Sequence, residues 1–328
     1  MAMPRIYITR PLPTAAMKRL EGVVEYRMWE REDQPVPRDT LLDEIAAVDG
    51  IICLFTEKMD AQTIDRACRC RVIAQVAVGY DNIDVDAATK RGILVTNTPE
   101  VLTETTADMA WAILMATASR VVEGDKFTRA GRWEKRNLAG LTGQDVHGAT
   151  LGIIGLGRVG SAVARRSKGF DMPLLYYDLR RNEGLERQLG VMYLPLDDVL
   201  RRSDFVMLTA ALTPQTRHLI GEREFELMKP SAVIVNISCG PIIDQHALYR
   251  ALVDKRIWAA GLDVLEVEPP PVDEPLLKLE NVVLPPHLGS ASIATRIKMA
   301  ELAAENCVAG VTGKRPPSLV NPEALERR

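Results

Sequence analysis

Residues 151–160 read Leu-Gly-Ile-Ile-Gly-Leu-Gly-Arg-Val-Gly, an apolar run that leads directly into the pattern G-x-G-x-x-G. Residues 161–169 continue with helical spacing, so the order is strand, glycine turn and helix. In that order Gly155 allows the tight turn, Gly157 lets a pyrophosphate approach the backbone, and Gly160 lets helix and strand pack closely. The unpaired N–H groups at the start of the helix then bind the phosphates. By itself the pattern also fits an ordinary glycine turn, so a second signal is needed.

That second signal is Asp178, which ends the next apolar run, 174–177. An acidic residue at the tip of the second strand accepts hydrogen bonds from a ribose 2′-hydroxyl. Together the two signals predict a dinucleotide site. NAD is the favoured cofactor, because a carboxylate repels a 2′-phosphate, but Arg180 and Arg181 follow closely and leave NADP open. The turn residues predicted to contact the cofactor are Gly155, Leu156, Gly157, Arg158, Val159 and Gly160.

Composition narrows the class of protein. A chain of 328 residues is long enough for two domains, and 47% hydrophobic with 26% charged residues indicates folded cores. A net charge of −3 offers no basic surface for nucleic acid or anionic membrane. No apolar stretch approaches the roughly 20 residues of a membrane span. The five scattered cysteines and the lack of a signal-peptide pattern lead us to expect reduced thiols and a cytoplasmic location.

Short apolar runs alternate with helical patterns along both halves of the chain, which predicts βαβ units and parallel sheets. The first hundred residues form one α/β layer structure, and six strand candidates after residue 149 match the doubly wound dinucleotide-binding pattern. Between them, 103–130 is predicted to be one long buried helix. A last helix, about 292–311, is expected to return to the first domain, and the tail 314–328 to be loosely held.

Chemistry is expected after the carboxyl ends of these strands, where ligands bind in open α/β sheets. His287 is one of four histidines and follows a strand beside a Gly-Ser turn, so it is the candidate for proton transfer near neutral pH. The alternative is a structural loop histidine. Glu268 and Asp263 are the carboxylates that could orient it, with Glu266 as a rival.

These pieces resemble the D-isomer-specific 2-hydroxyacid dehydrogenase family over nearly the whole chain, and within it glyoxylate/hydroxypyruvate reductases most closely. The motifs that carry the resemblance, in the expected order, are Val78–Asp84 (VGYDNID), Thr96–Pro99 (TNTP), Thr105–Asp108 (TTAD), Gly155–Gly160, Gly261–Val264 (GLDV) and His287–Ser290 (HLGS).

The resemblance implies two doubly wound parallel-sheet domains, one Rossmann-type and one flavodoxin-like. Residues 1–99 with 288–328 would be the substrate domain, and 100–287 the dinucleotide-binding domain. It also implies a homodimer that pairs through the dinucleotide domain and the helix at 103–130. The expected reaction is NAD(P)H-dependent reduction of a small 2-keto acid to the D-2-hydroxy acid.

The same resemblance assigns roles to individual residues. His287 would protonate the developing alkoxide, and Glu268 would keep the imidazole protonated and oriented. The backbone N–H groups of Val78 and Gly79 would bind the substrate carboxylate. Thr106 would lie near the cofactor phosphates and Asp263 near the nicotinamide.

One position departs from the family pattern. The family places an arginine before the glycine of the motif after the fourth strand, where this chain reads Ser238-Cys239-Gly240. A thiol cannot make the two charge-assisted bonds of a guanidinium, and losing such a group costs roughly 10²–10³ in rate. Attenuated turnover, a changed substrate and a cofactor-binding regulatory protein are therefore all open. Arg296 is a candidate replacement cation for the substrate, with a surface arginine as the alternative.

Overall fold

Short runs of two to four residues, apolar in most cases but not at Glu25–Met28, form the strands of two sheets, and every pairing between these strands is parallel. The computed structural model describes residues 2–134 and 140–327. In that part of the chain the strands are β1 (Arg5–Ile8), β2 (Glu25–Met28), β3 (Gly50–Cys53), β4 (Val72–Gln75), β5 (Leu94–Thr96), β6 (Leu151–Ile154), β7 (Leu174–Tyr177), β8 (Met192–Tyr193), β9 (Phe205–Leu208), β10 (Val233–Asn236), β11 (Ala259–Leu262) and β12 (Val282–Val283).

Helices connect most of these strands, as parallel crossovers require. They are α1 (Thr14–Leu20), α2 (Arg38–Ala47), α3 (Ala61–Arg66), α4 (Val85–Lys90), α5 (Thr103–Ala118), α6 (Val121–Arg129), α7 (Arg158–Ser167), α8 (Glu183–Leu189), α9 (Leu196–Arg202), α10 (Glu222–Leu227), α11 (Gln245–Val253) and α12 (Ile293–Val311). Short 3₁₀ helices lie at Lys168–Phe170, Gly240–Ile242, Pro275–Lys278 and Pro322–Arg327.

The chain divides into two compact units, of which the first comprises Met1–Leu102 and Ser292–Arg328. Its five-stranded sheet has the order β2-β1-β3-β4-β5, which is the flavodoxin-like order. Helix α12 packs against β3 and β4 of this sheet. The approach is close, since a Cβ added to Gly310 would lie 2.6 Å from the Cβ of Val72.

The second unit, Thr103–Ala291, contains a seven-stranded sheet with the order β12-β11-β10-β9-β6-β7-β8. The strand order reverses between β6 and β9, as in the Rossmann arrangement, so the carboxyl end of β6 is the switch point where dinucleotides bind. Helix α5 packs against β10 and β11, where a Cβ on Gly261 would lie 2.3 Å from Ile113 Cγ2. The predicted fold class, two doubly wound parallel-sheet α/β domains, is confirmed.

The single helix predicted over 103–130 is wrong. The chain ends α5 at Ala118 and starts α6 at Val121, because Arg120 adopts a left-handed conformation with φ of 53°. Its guanidinium bonds Glu123 in the first turn of α6 at 2.6 and 2.7 Å, which stabilises this break. The glycine-containing segment 131–149, which its sequence predicts to be an irregular connection, lies in part outside the described residues.

The prediction of a loosely held tail at 314–328 is also wrong. Asn321 is buried, and its side chain bonds the N–H of Val95 at 2.7 Å and the carbonyl of Ile93 at 3.0 Å. Ala324 is buried in the core of the first unit. The tail is therefore packed against the first unit beside β5 and does not extend into solvent.

Among the described residues we find no helix whose length and apolar character would suit a bilayer crossing.

Candidate active site

The glycine turn after β6 has the geometry that its sequence predicts. Gly155 has φ of 95°, and Thr209 donates a 2.6 Å hydrogen bond to its carbonyl. A Cβ on Gly160 would lie 2.2 Å from that same carbonyl oxygen, so only glycine lets α7 start this close to the strand. No described atom lies within 4 Å of the position a Gly157 Cβ would take. The turn is thus closely packed at Gly160 and open at Gly157.

The start of α7 suits a phosphate. Gly157 caps the helix without any side chain that could accept from its first N–H groups. Unpaired N–H groups at a helix N-terminus carry partial positive charge and bind anions. The open face at Gly157 gives an anion access to them. These observations on the turn fit a dinucleotide.

Asp178 follows β7 and reaches the same turn. Its Oδ2 accepts the Leu156 N–H at 2.9 Å, and its Oδ1 accepts the N–H of Arg180 at 3.3 Å. The carboxylate keeps further acceptor positions and is partly exposed. It can therefore hold the turn and still accept from a ribose hydroxyl.

His287 and Glu268 form a hydrogen-bonded pair after β12 and β11. His287 Nδ1 lies 2.7 Å from Glu268 Oε2, while Glu268 Oε1 accepts the N–H of Leu265 at 2.9 Å. The side chains are 40% and 28% exposed, so the ring is supported from one side and accessible from the other. His287 also has φ of 54°, a left-handed conformation that is uncommon outside glycine and is concentrated at functional sites. An imidazole that is bonded to a carboxylate at one nitrogen and partly exposed has a geometry that suits proton transfer.

Asp263 fixes the loop that carries this histidine. Its Oδ1 and Oδ2 each accept a backbone N–H at 2.7 Å, from Leu288 and Gly289, and its carbonyl accepts the His287 N–H at 3.0 Å. Burial raises the pKa of Asp263, opposed by these two N–H donors and by His287. The residue acts on His287 through the backbone and is almost fully buried.

The contacts of His218, another histidine near these loops, show which of Glu266 and Glu268 pairs with His287. His218 Nε2 lies 2.8 Å from Glu266 Oε1, and its N–H donates to the Pro241 carbonyl at 2.8 Å. Glu266 thus pairs with His218, and Glu268 with His287. The sequence suggests that His218 is a plain surface residue, and its side chain is indeed 43% exposed, yet it links two loops.

Cys239 lies in the loop after β10, where the family pattern has arginine. Asn236 shapes this loop by donating from Nδ2 to the Cys239 carbonyl at 2.9 Å and accepting from Ser238. The Cys239 side chain is partly buried against an apolar cluster of the second unit. Gly240 allows the close approach of the next loop, since a Cβ there would lie 1.9 Å from the Leu265 carbonyl oxygen.

Val78 and Gly79 follow β4 in the first unit. Asn97 Nδ2 donates to the Val78 carbonyl at 2.9 Å, and Gln75 Nε2 donates to the Gly79 carbonyl at 3.3 Å. Within residues 2–134 and 140–327 no acceptor bonds the N–H of either residue. Two fixed peptides with open N–H groups form a potential anion site.

Thr106 and Arg296 lie in different units. Thr106 is buried in the first turn of α5, where its Cγ2 would be 3.6 Å from a Cβ on Gly289 of the histidine loop. Arg296 is in the first turn of α12, in the first unit. The structure thus brings Thr106, Asp263, Glu268 and His287 together within the second unit.

Sequence reasoning missed the residues that hold these groups. Asn97, Gln75 and Asn236 shape the loops through side-chain amides, and Glu186 bonds Arg181 next to Asp178. Amide residues directly at strand ends, such as Gln75 and Asn236, are the signal that could have found two of them. Among the described residues, no cluster of His, Cys, Asp or Glu could hold a metal ion.

A doubly wound sheet with a phosphate-binding turn, an acidic residue after its second strand and an oriented histidine defines a nicotinamide-dependent oxidoreductase. Residues 111–289 match the profile of the family described as "D-isomer specific 2-hydroxyacid dehydrogenase, NAD binding domain". The chain belongs to the D-isomer-specific 2-hydroxyacid dehydrogenase family. It is accordingly an NAD(P)-dependent enzyme, as predicted.

Individual relatives agree over their full lengths. The chain is 50% identical to a glyoxylate reductase of Korarchaeum cryptofilum, covering 99% of this chain and 98% of that one. A solved protein of Thermus thermophilus has a TM-score of 0.90 at 40% identity, covering 96% of this chain and 99% of that one. The NADPH-dependent glyoxylate/hydroxypyruvate reductase of Sinorhizobium meliloti, solved with NADP and malonate, has a TM-score of 0.85 at 33% identity and 98% coverage of both chains.

Proposed function

We propose that the chain reduces a small 2-keto acid of the glyoxylate or hydroxypyruvate type to the D-2-hydroxy acid. The observation that carries this proposal is the 2.7 Å contact between His287 Nδ1 and Glu268 Oε2 on a loop fixed by Asp263. The names of the relatives, glyoxylate reductase and glyoxylate/hydroxypyruvate reductase, support the substrate class.

In the proposed mechanism the reduced nicotinamide, when bound, supplies the hydride for the carbonyl carbon. His287 donates a proton from Nε2 to the carbonyl oxygen, so that the two transfers together give the hydroxyl group. Glu268 holds Nδ1, which fixes the ring orientation and stabilises its protonated form before transfer. Solvent then reprotonates the ring, whose side chain is 40% exposed.

The open N–H groups of Val78 and Gly79 would bind the substrate carboxylate, with Arg296 as a second candidate group. Thr106 and the residues from Gly155 to Gly160 would bind the cofactor phosphates. Asp178 would bind the adenosine ribose, and Asp263 would lie near the nicotinamide. We also propose that the dinucleotide-binding domain, predicted as 100–287, corresponds to the compact unit Thr103–Ala291, and that the substrate domain, predicted as 1–99 with 288–328, corresponds to Met1–Leu102 with Ser292–Arg328.

Cys239 leads us to propose that turnover is attenuated. Its side chain packs against apolar residues and supplies no positive charge to polarise a ketone. It also favours a second candidate, an NAD(H)-binding protein with a regulatory role that has lost catalysis. A dehydrogenase for another acid, which does not need the arginine, is the third.

The deciding experiment is a screen of small 2-keto acids with NADH and NADPH, followed by absorbance of the reduced cofactor, for the wild-type chain and Cys239→Arg. We expect reduction of glyoxylate or hydroxypyruvate, raised by about 10² or more in the variant, the scale of one preorganised charged group. Cofactor binding without turnover of any acid in either protein would contradict the enzyme proposal. Turnover that Cys239→Arg does not raise would contradict attenuation and favour a different acid.

We propose that the chain forms a homodimer through the dinucleotide-binding domain. Helix α6 buries none of its residues, and Val121 and Trp133 are 56% and 65% exposed, which supports a protein contact there. Light scattering after size exclusion tests this, since a monomeric mass at micromolar concentration would contradict it.

We also propose a cytoplasmic location. None of the five cysteines, all of which lie in the described residues, forms a disulfide, and three of them are buried, whereas secreted proteins tend to form disulfides. Fractionation of the source cells tests the proposal.

A further inference from the structure

Arg181, three positions after Asp178, is a candidate for binding a cofactor 2′-phosphate, but its guanidinium is already bonded to a carboxylate. Its Nε and Nη2 both donate to Glu186, to Oε1 and Oε2 respectively, at 2.9 Å each. The guanidinium also lies 5.7 Å from the ring centre of Tyr193. A bidentate pair with an added ring contact fixes the plane of the guanidinium.

Glu186 is itself held in place from the core. The Tyr176 hydroxyl donates to Glu186 Oε1 at 2.8 Å and accepts the Asn182 N–H at 3.0 Å, and the Tyr176 ring is fully buried. Only 15% of the Glu186 side chain is exposed, against 54% for Arg181. Arg181 lowers the pKa of Glu186, so this carboxylate is charged near neutral pH. The arginine is therefore drawn towards a fixed anion.

The neighbouring carboxylates of Asp178 and Glu186 make this position unfavourable for a phosphate. Asp178 carries its negative charge three positions before Arg181, at the tip of β7. Arg180 is exposed, and its backbone N–H is bonded to Asp178. A 2′-phosphate would thus meet Asp178 and Glu186 and would have to compete with Glu186 for the guanidinium.

We propose that Glu186 is a specificity-determining residue for the cofactor: by holding Arg181 it selects NAD(H) against NADP(H). This inference rests on the proposed function and deepens it. Asp178 alone would select against NADP(H) by repelling the 2′-phosphate. Glu186 adds a second element, because it holds Arg181, one of the two arginines after Asp178 that could compensate for that repulsion.

The test uses binding, so that it does not depend on turnover. Isothermal titration compares adenosine 2′,5′-bisphosphate with 5′-AMP, which differ only in the 2′-phosphate. In Glu186→Gln the amide can still accept from Tyr176 but no longer forms the ion pair. We expect the bisphosphate to bind about 10-fold more tightly, the scale of one charge-assisted hydrogen bond, while 5′-AMP changes by less than about twofold.

Glu183→Gln is the matched control, because it removes a negative charge that also acts on Arg181 from the same helix, but one that forms no hydrogen bond or ion pair with Arg181 among the described residues. Its nearest ion pair is with Arg187, at 3.9 Å. We expect bisphosphate binding to change by less than about threefold, the effect of a screened charge. An equal gain in both variants would overturn the proposal in favour of net charge alone.

Arg181→Ala supplies a second arm of the test, on a side chain that is 54% exposed. In the otherwise unchanged chain it should alter neither affinity, and in the Glu186→Gln background it should abolish the gain. Selective loss of bisphosphate binding in Arg181→Ala alone would overturn the proposal, since the arginine would already be bound to the phosphate. Failure of wild-type protein to bind 5′-AMP or NADH at all would instead refute the dinucleotide site itself.

Discussion

Two loops of the seven-stranded sheet are each held by an aspartate at the end of the adjacent strand. The two aspartates differ in whether their carboxylates remain accessible to a ligand. Asp178, after β7, accepts the Leu156 N–H of the glycine turn at Oδ2 and, at a longer 3.3 Å, the Arg180 N–H at Oδ1, and it stays partly exposed. Asp263, after β11, uses both oxygens for the histidine loop and is almost fully buried. Asp178 can therefore bind a ligand, whereas Asp263 can only position the loop it holds. Substitutions at the two loops should separate cofactor affinity from turnover.

The largest effect on kcat is expected from His287→Gln, which sets the lowest kcat for substitutions in the histidine loop. Loss of the proton donor should lower kcat by about 10³, in the range for general acid–base residues. NADH affinity, measured by fluorescence titration, should remain within about twofold because His287 does not contact the glycine turn. Activity within tenfold of wild type would show that another group transfers the proton.

Asp263→Asn should have the next largest effect. The amide Nδ2 would face a backbone N–H of Leu288 or Gly289, so the loop must move, and a displacement of about 1 Å can cost 10² in rate. We expect kcat to fall by about 10² with NADH affinity changed less than about threefold, and the pH profile of kcat to shift because His287 loses its fixed position relative to Glu268.

Asp204→Asn is the matched control for Asp263→Asn. Asp204 also accepts a backbone N–H, from Thr150 at 2.9 Å, but at the opposite end of the same sheet. Its substitution should lower the melting temperature and leave kcat and its pH profile unchanged. Equal kinetic losses in both variants would mean that Asp263 is important only for folding.

Asp178→Asn should affect binding and spare turnover. Loss of the charge weakens the proposed hydrogen bonds to the ribose, so the Kd of NADH should rise about 10-fold, the scale of a charge-assisted bond. At saturating NADH, kcat should stay within about twofold of wild type. A fall in kcat at saturation would place Asp178 among the residues that act on the reacting atoms and would abolish the contrast between the two aspartates.

The smallest effect concerns the pH dependence of stability. Burial raises the folded-state pKa of Asp263, so its contribution to stability is fully present below the unfolded pKa of about 4 and is lost as pH rises through the folded value. Asp263→Asn lacks this titration. The difference in melting temperature between wild type and variant should therefore be widest near pH 4 and narrow as the pH rises. A difference that widens with pH would mean that the N–H donors outweigh burial.

The sequence predicts the sheets and the glycine turn well because both depend on local patterns. The run before Gly155 is apolar and β-forming, and the role of Gly160 follows from the space available at a strand-to-helix turn. Strand β2 was missed because Glu25–Met28 is an exposed edge strand without an apolar run. The break at Arg120 was missed because it depends on one residue's left-handed backbone conformation and not on composition.

The contacts around His287 could be predicted in part. His287 and Glu268 follow strands, and their order along the chain indicates that they meet at one edge of the sheet. The pairing of Glu266 with His218, and of Arg181 with Glu186, depends on side-chain directions that only the folded chain sets. The tail was misjudged for the same reason, since Asn321 finds its partners 226 and 228 residues earlier in the sequence.

The division of the chain has a consequence for the order in which the protein is made. The second unit is one uninterrupted segment, Thr103–Ala291, so it can fold while the ribosome is still adding the rest. The five-stranded sheet emerges first but cannot bury Val72 until α12 arrives, after the whole second unit has been synthesised. During that interval its apolar face is exposed to solvent or to a chaperone, and the early segment must wait for the late one. The segment Met1–Leu102 is thus synthesised before the second unit and completed only after it.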